Sequence, residues 1–152
     1  MPLQFQVEDF DVFVKDGADI FPRHFAELSL NQDKIPFGLD SEMYHAAEKN
    51  ELLHILTARL DEKMIGYVVS LVAKHHPHNK DAGPYSTTDM FYVLPEHRNG
   101  TGVRLLMENE RRLKALGVRR MGISTKLKDA HLDLFSKLGF EATDLQFHKV
   151  LT

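Results

Sequence analysis

Cysteine is absent from this chain. Without a thiol there is no disulfide, no thiolate zinc site and no cysteine nucleophile, and nothing points to an oxidising compartment. An excess of positive charge is missing as well. With 19 Lys and Arg against 22 Asp and Glu the net charge is -3, so the chain lacks the global basic field that holds proteins on nucleic acid. No segment approaches the roughly 18 apolar residues that span a bilayer, and Met1 to Phe10 has neither the basic flank nor the apolar run of a signal peptide. Repeats and low-complexity segments are lacking too. The expectation is a cytoplasmic protein with no membrane contact and no metal.

What is present is an ordinary globular composition, 43% apolar and 27% charged over 152 residues. A chain of this length buries about two-thirds of its unfolded surface in one core, so residues 1–152 are expected to form a single domain. In the first fifty residues Phe10, Phe13, Ile20, Phe21, Phe25 and Leu28 suit one or two short helices broken near Gly17 and Pro22. A loop follows from Asn31 to Asp40, and Asp40 or Ser41 caps a further helix through Glu48.

From Leu52 to Leu60 the chain is apolar and partly alternating, Asp61-Glu62-Lys63 is a polar turn, and a second apolar run follows, which together predict a β-hairpin. After a polar loop from Lys74 to Pro84, Thr87 to Leu94 reads as a third antiparallel strand ended by Pro95. Val103, Leu106, Met107, Leu113 and Leu116 then recur at helical spacing, with Gly117 as the stop. A short strand at Arg120 to Ser124, a helix through Leu132, Leu134, Phe135 and Leu138 ended by Gly139, and a last strand at Leu145 to Leu151 complete a mixed α/β sheet.

The informative stretch runs from Phe91 to Glu110, where a strand ends at a proline, a two-glycine turn follows and an amphipathic helix begins at once. The first turn of a helix has unpartnered N–H groups and a partial positive charge, so Gly100, Thr101, Gly102 and Val103 would form a cradle for a diphosphate. A G-x-G pair alone is weak, since it also serves as a plain strand-to-helix turn.

Three features in order make the chain resemble the GNAT superfamily of N-acetyltransferases. Val93-Leu94-Pro95 with the Gly100-Thr101-Gly102 turn is similar to its acetyl-CoA motif, Gly66-Tyr67 to its V-G-Y strand, and Leu134 to Phe140 to its L-Y-x-K-x-G-F helix end. The string from Arg98 to Leu105 is also similar to one in bacteriophage-encoded members, which would place the protein in a host cytoplasm. The resemblance covers most of residues 52 to 150. It implies a mostly antiparallel central sheet with helices on both faces, splayed between two central parallel strands.

The resemblance further implies that acetyl-CoA is the acyl donor, held by Arg98, Asn99, Gly100, Thr101, Gly102 and Val103 at the phosphates, by the backbone of Tyr92 and Val93 along the pantetheine arm, and by Lys126 or Lys128 after the next strand. Two positions depart from the pattern. His97 stands where the family carries Gln or Arg, with Arg98 one place later, and Phe135 replaces a tyrosine that in many members protonates the CoA thiolate.

The attacking amine must be neutral, and a carboxylate on the central strand is the family's usual base, acting through water on a group whose pKa is near 10. Asp89, four residues before Val93, is that candidate; alternation groups it with Phe91 and Val93 on one strand face. His75, His76 and His78 could relay a proton or touch substrate, although a solvated loop is the commoner fate of such a run. Phe37 and Tyr44 read as core. Arg104, Arg111, Arg112, Arg119 and Arg120 read as a solvated face rather than a nucleic-acid stripe.

The expected partners are acetyl-CoA and an amine-bearing small molecule or protein, with a homodimer as the expected assembly. The alternative is a GNAT-like protein without catalysis that binds a protein or nucleic-acid partner.

Overall fold

The computed structural model describes residues 2–127 and 131–151. Along the chain lie β1 (Gln4–Glu8), α1 (Phe10–Gly17), α2 (Phe21–Leu28), α3 (Ser41–Lys49), β2 (Leu53–Leu60), β3 (Lys63–Ala73), β4 (Tyr85–Val93), α4 (Thr101–Ala115), β5 (Arg120–Gly122) and α5 (Leu132–Lys137), with 3-10 turns at Lys80–Ala82 and Pro95–His97. The five strands stand in chain order, antiparallel from β1 to β4 and parallel between β4 and β5. The mixed α/β class is therefore as the sequence led one to expect. No helix among the described residues is long and apolar enough to cross a membrane.

Helix starts follow their caps. Asp9 accepts a hydrogen bond from the Val12 amide and Asp40 from the Met43 amide, each satisfying a donor that the first helical turn would leave orphaned. The β2–β3 hairpin turns on Asp61 and Glu62, whose φ values of 51° and 67° are the positive ones a tight two-residue loop requires. Neither is glycine. Arg59 steadies the turn by donating from Nη1 to the Glu62 carbonyl at 2.8 Å, and it also meets Glu8 and Asp16 at 2.8 Å each. One buried guanidinium thus ties β1 and α1 to β2.

Helices cover both faces of the sheet. On one face Phe13 and Phe21 meet Tyr67, with ring centroids 5.1 and 5.7 Å apart, and His24 of α2 stacks on Tyr92 at 4.5 Å. On the other face α4 buries Leu105, Leu106 and Leu113 and sets Asn109 against Ser70. The amphipathic spacing of α4 produces that burial, because residues three or four apart share one side of a helix.

Three expectations need correction. β1 precedes the first helix although no strand was expected there; its signal is only Phe5 and Val7 in a five-residue segment. Leu145 to Leu151, expected as a closing strand, forms none, and Leu145, Phe147 and Leu151 stand 72%, 89% and 85% exposed. Alternation gives a strand only where an adjacent backbone edge can complete the ladder, and β5 offers just three residues. The parallel pair, expected at the centre, consequently forms one side of the sheet.

Candidate active site

Strand lengths open the site. β4 has nine residues and β5 three, and their parallel pairing covers only Tyr85 to Thr87, with Thr88 Oγ1 adding a bond to the Gly122 carbonyl at 3.0 Å. Beyond Thr88 the edge of β4 that faces β5 runs on to Val93 with no strand beside it among the described residues. Opposite, Gly66 of β3 lies so close that a Cβ there would stand 2.8 Å from the Tyr92 carbonyl and 3.1 Å from Val93 Cα. A glycine is needed for β3 and β4 to close at this point.

Past Val93 the chain makes its 3-10 turn and enters α4 through Gly100 at φ 82°, a left-handed conformation that costs other residues more. Among the described residues no side chain caps the helix. Its first intrahelical bond is from the Arg104 amide to the Gly100 carbonyl at 3.1 Å, so the amides of Thr101, Gly102 and Val103 precede the ladder. Open space lies where a side chain on Gly100 would project. Uncapped amides at the positive end of a helix fit the diphosphate of acetyl-CoA. Gly102 has ordinary helical geometry, and a Cβ would lie 3.4 Å from Phe91 Cζ, so its glycine keeps this surface bare rather than permitting a turn.

Arg98, expected at the phosphates, is bonded in this structure to groups of its own chain. Its Nε donates to the Val93 carbonyl at 2.8 Å, its Nη2 reaches both carboxylate oxygens of Glu27 at 2.9 and 2.8 Å, and its guanidinium lies 5.2 Å from the Tyr92 ring centroid. The Val93 backbone, expected along the pantetheine arm, is therefore bonded to the arginine expected at the phosphates. Asn99 is exposed in the turn, and His97 ends the 3-10 segment with its amide bonded to the Leu94 carbonyl at 2.8 Å. Lys126 is exposed yet near enough to His24 to act on its protonation. Lys128 lies outside the described residues. Phe135 is partly buried against the core, 5.9 Å from the Phe140 ring.

Asp89 holds a special place in β4. Val69 pairs with Met90 and Ser70 with Thr88, so Asp89 is the extra residue of a β-bulge. Its Oδ2 accepts a hydrogen bond from the Tyr44 hydroxyl at 2.5 Å, and Tyr44 stacks on Phe10 with centroids 4.9 Å apart. Alternation grouped Asp89 with Phe91 and Val93, which face Gly102 of α4. The bulge breaks that alternation, and the carboxylate turns instead toward α3 and α1. Burial, and then the bond to Asp89, push the Tyr44 phenol above its ordinary value, so it stays protonated and donates.

Around Tyr92 the structure assembles groups with no sequence signal. The Tyr67 hydroxyl lies 2.6 Å from His24 Nδ1, and Tyr92 donates to Glu27 Oε1 at 2.9 Å. Burial brings His24 down to about 4, while Glu27 opposes this and Lys126 and Arg98 reinforce it. A depressed histidine pKa means that the unfolded chain takes the proton first: stability is whole above about pH 6.5 and falls as pH drops toward about 4. His54, lowered chiefly by burial, acts in the same direction. We expect urea unfolding to show stability falling by about 1 kcal/mol or more per pH unit across that window, with a visibly shallower slope in His24→Gln.

The other titratable cluster is not part of this site. His76 stacks on Tyr85 at 4.0 Å, at the opposite end of β4 from Val93 and about 26 Å along the strand. Among the described residues no three His, Asp or Glu side chains are placed to hold a metal ion. The arginines are dispersed: Arg111 and Arg112 pair with Glu108, Arg104 lies over Phe5 and Arg120 over Tyr85.

Comparison with known proteins bears on the family and the fold. The profile of the Acetyltransferase (GNAT) family matches residues 20–140. Among solved structures, the chain is similar to an aminoglycoside acetyltransferase from an uncultured soil metagenomic sample, at 17% identity and TM-score 0.74, covering 99% of this chain and 97% of that one. It is similar at 18% identity and TM-score 0.66, over 100% of both chains, to AAC(6')-Iy in complex with a CoA-containing bisubstrate analogue. A transcriptional regulator from Bacillus halodurans C-125 matches at 14% identity and TM-score 0.74, over 99% of this chain and 100% of that chain. At these identities the likeness is one of fold. No curated protein matches the sequence.

Proposed function

The chain belongs to the acetyltransferase (GNAT) family, and from that premise we propose that it transfers an acetyl group from acetyl-CoA to a primary amine by direct attack in a ternary complex. The observation that carries this reading is the uncapped amide cradle at Thr101, Gly102 and Val103, set where β4 parts from β5. Acetyl-CoA supplies the thioester carbonyl. The amides of the first turn of α4 hold its diphosphate, with Asn99 and Lys126 at the rim, and the backbone of Tyr92 and Val93 orients its arm. Asp89, through water, takes the proton that the attacking amine must lose.

Solved relatives of this fold include aminoglycoside acetyltransferases, but the acceptor proposed for this chain is only an amine on a small molecule or protein. A second reading, a GNAT-like protein that binds a partner without catalysis, draws support from Phe135, which has no proton to give a thiolate, and from the inward turn of Arg98.

Calorimetry with acetyl-CoA tests the reading. The protein is expected to bind at micromolar Kd, about -8 kcal/mol, and Gly102→Glu, which sets a carboxylate against the diphosphate, is expected to lose tenfold or more in affinity, about 1.4 kcal/mol. No binding by the parent protein would overturn the acetyl-transfer reading in favour of the partner-binding one.

A further inference from the structure

Arg98 is held by three partners at once, and one of them, the Val93 carbonyl, belongs to the surface that acetyl-CoA would use. Its Nε occupies the Val93 carbonyl, and its Nη2 sits on Glu27 of α2. The residue stands two positions before Gly100, so its stem is anchored beside the uncapped amides of α4. Arg98 is half-exposed, with 43% of its side chain accessible, and Glu27 is 35% accessible. A pair so open to water is weak enough to exchange. A diphosphate carries more charge than one carboxylate and presents the oxygens that a guanidinium fork prefers.

We infer that Glu27 is a positioning residue for the cofactor: it holds Arg98 against the Val93 carbonyl, and acetyl-CoA binds by drawing Arg98 from Glu27 and Val93 to its diphosphate. This rests on the acetyl-CoA reading above. Both halves of the ligand act on the same side chain. The diphosphate competes for the guanidinium, and the pantetheine amide competes for the Val93 carbonyl that the guanidinium covers. Glu27 therefore lowers cofactor affinity without touching the cofactor, and it keeps its Tyr92 partner when Arg98 departs.

Calorimetric titration of CoA into four full-length proteins tests this: the parent, Glu27→Gln, Arg98→Ala and the double variant. Glutamine keeps the shape of Glu27 and an oxygen to accept from Tyr92. Glu27→Gln is expected to bind CoA about threefold tighter, in keeping with an exposed ion pair. In the Arg98→Ala background the same substitution is expected to change nothing, because its effect runs through the arginine. Unchanged or weaker binding by Glu27→Gln overturns the inference. So does an equal gain in both backgrounds, which would make Glu27 a mere repulsive charge. A parent that fails to bind CoA overturns the acetyl-CoA reading itself, an outcome separate from either.

Discussion

Asp89→Asn is expected to lower kcat/KM for an accepted amine by about 10²–10⁴-fold, the usual contribution of a positioned base, and to leave acetyl-CoA affinity within about twofold of the parent. Asparagine is nearly isosteric and its carbonyl oxygen can still accept the Tyr44 hydroxyl that now bonds Asp89 Oδ2. What the substitution removes is proton affinity. An alkyl amine has a pKa near 10 and is overwhelmingly protonated at neutral pH, so the loss falls on the step that makes it nucleophilic. Steady-state kinetics over an amine panel, beside CoA calorimetry, separate the two effects. Tyr44→Phe is the companion variant: it leaves the carboxylate but frees it to rotate, so a smaller loss is expected. Undiminished turnover in Asp89→Asn would remove the base role from this residue.

Arg59→Met is expected to cost about 3–5 kcal/mol of stability, because it leaves the carboxylate of Glu8 buried without its counter-charge. The Glu8 side chain is 4% exposed and that of Arg59 7%, with 2.8 Å between them. Three elements meet at this guanidinium: β1 through Glu8, α1 through Asp16 and the β2–β3 turn through the Glu62 carbonyl. For a chain of this size the loss corresponds to a fall in Tm on the order of 10 °C. Adding Glu8→Gln to Arg59→Met removes the stranded charge and is expected to recover much of it, whereas Glu8→Gln alone leaves Arg59 with Asp16 and costs less. A double variant no better than Arg59→Met, in thermal and urea melts, would show that packing around the arginine stem carries the effect instead of charge.

The sequence was most legible where chemistry and geometry use the same few residues. Pro95, Gly100 and Gly102 mark the turn into α4, and the alternation of β2 and β3 marks a hairpin, because these signals are local. Asp40 or Ser41 announced the start of α3 for the same reason, and it is Asp40 that caps it. What the sequence did not disclose depends on contacts between distant segments. Glu27 looks like any helical glutamate until Arg98, 71 residues later, bonds to it. Tyr44 reads as core, and only the fold shows its hydroxyl meeting Asp89 across 45 residues. The expected strand from Leu145 to Leu151 failed in the opposite way: its local pattern is sound, but a strand is completed by an edge supplied elsewhere.

The extra residue in β4 can also be understood as a change of parity. Before Asp89 the even-numbered side chains share a face with Ser70, as Thr88 does; after it the odd-numbered ones, Phe91 and Val93, face Gly102 of α4, while Tyr92 pairs with Tyr67. Losing Asp89 itself would restore strict alternation and leave both halves of β4 on the faces they now hold, with Thr88 still opposite Ser70 and Met90 opposite Val69. The wall of the site would stand, and what it would lose is the carboxylate that the extra residue aims at Tyr44. The irregularity in β4 is thus dispensable to the sheet and serves the placement of a single side chain.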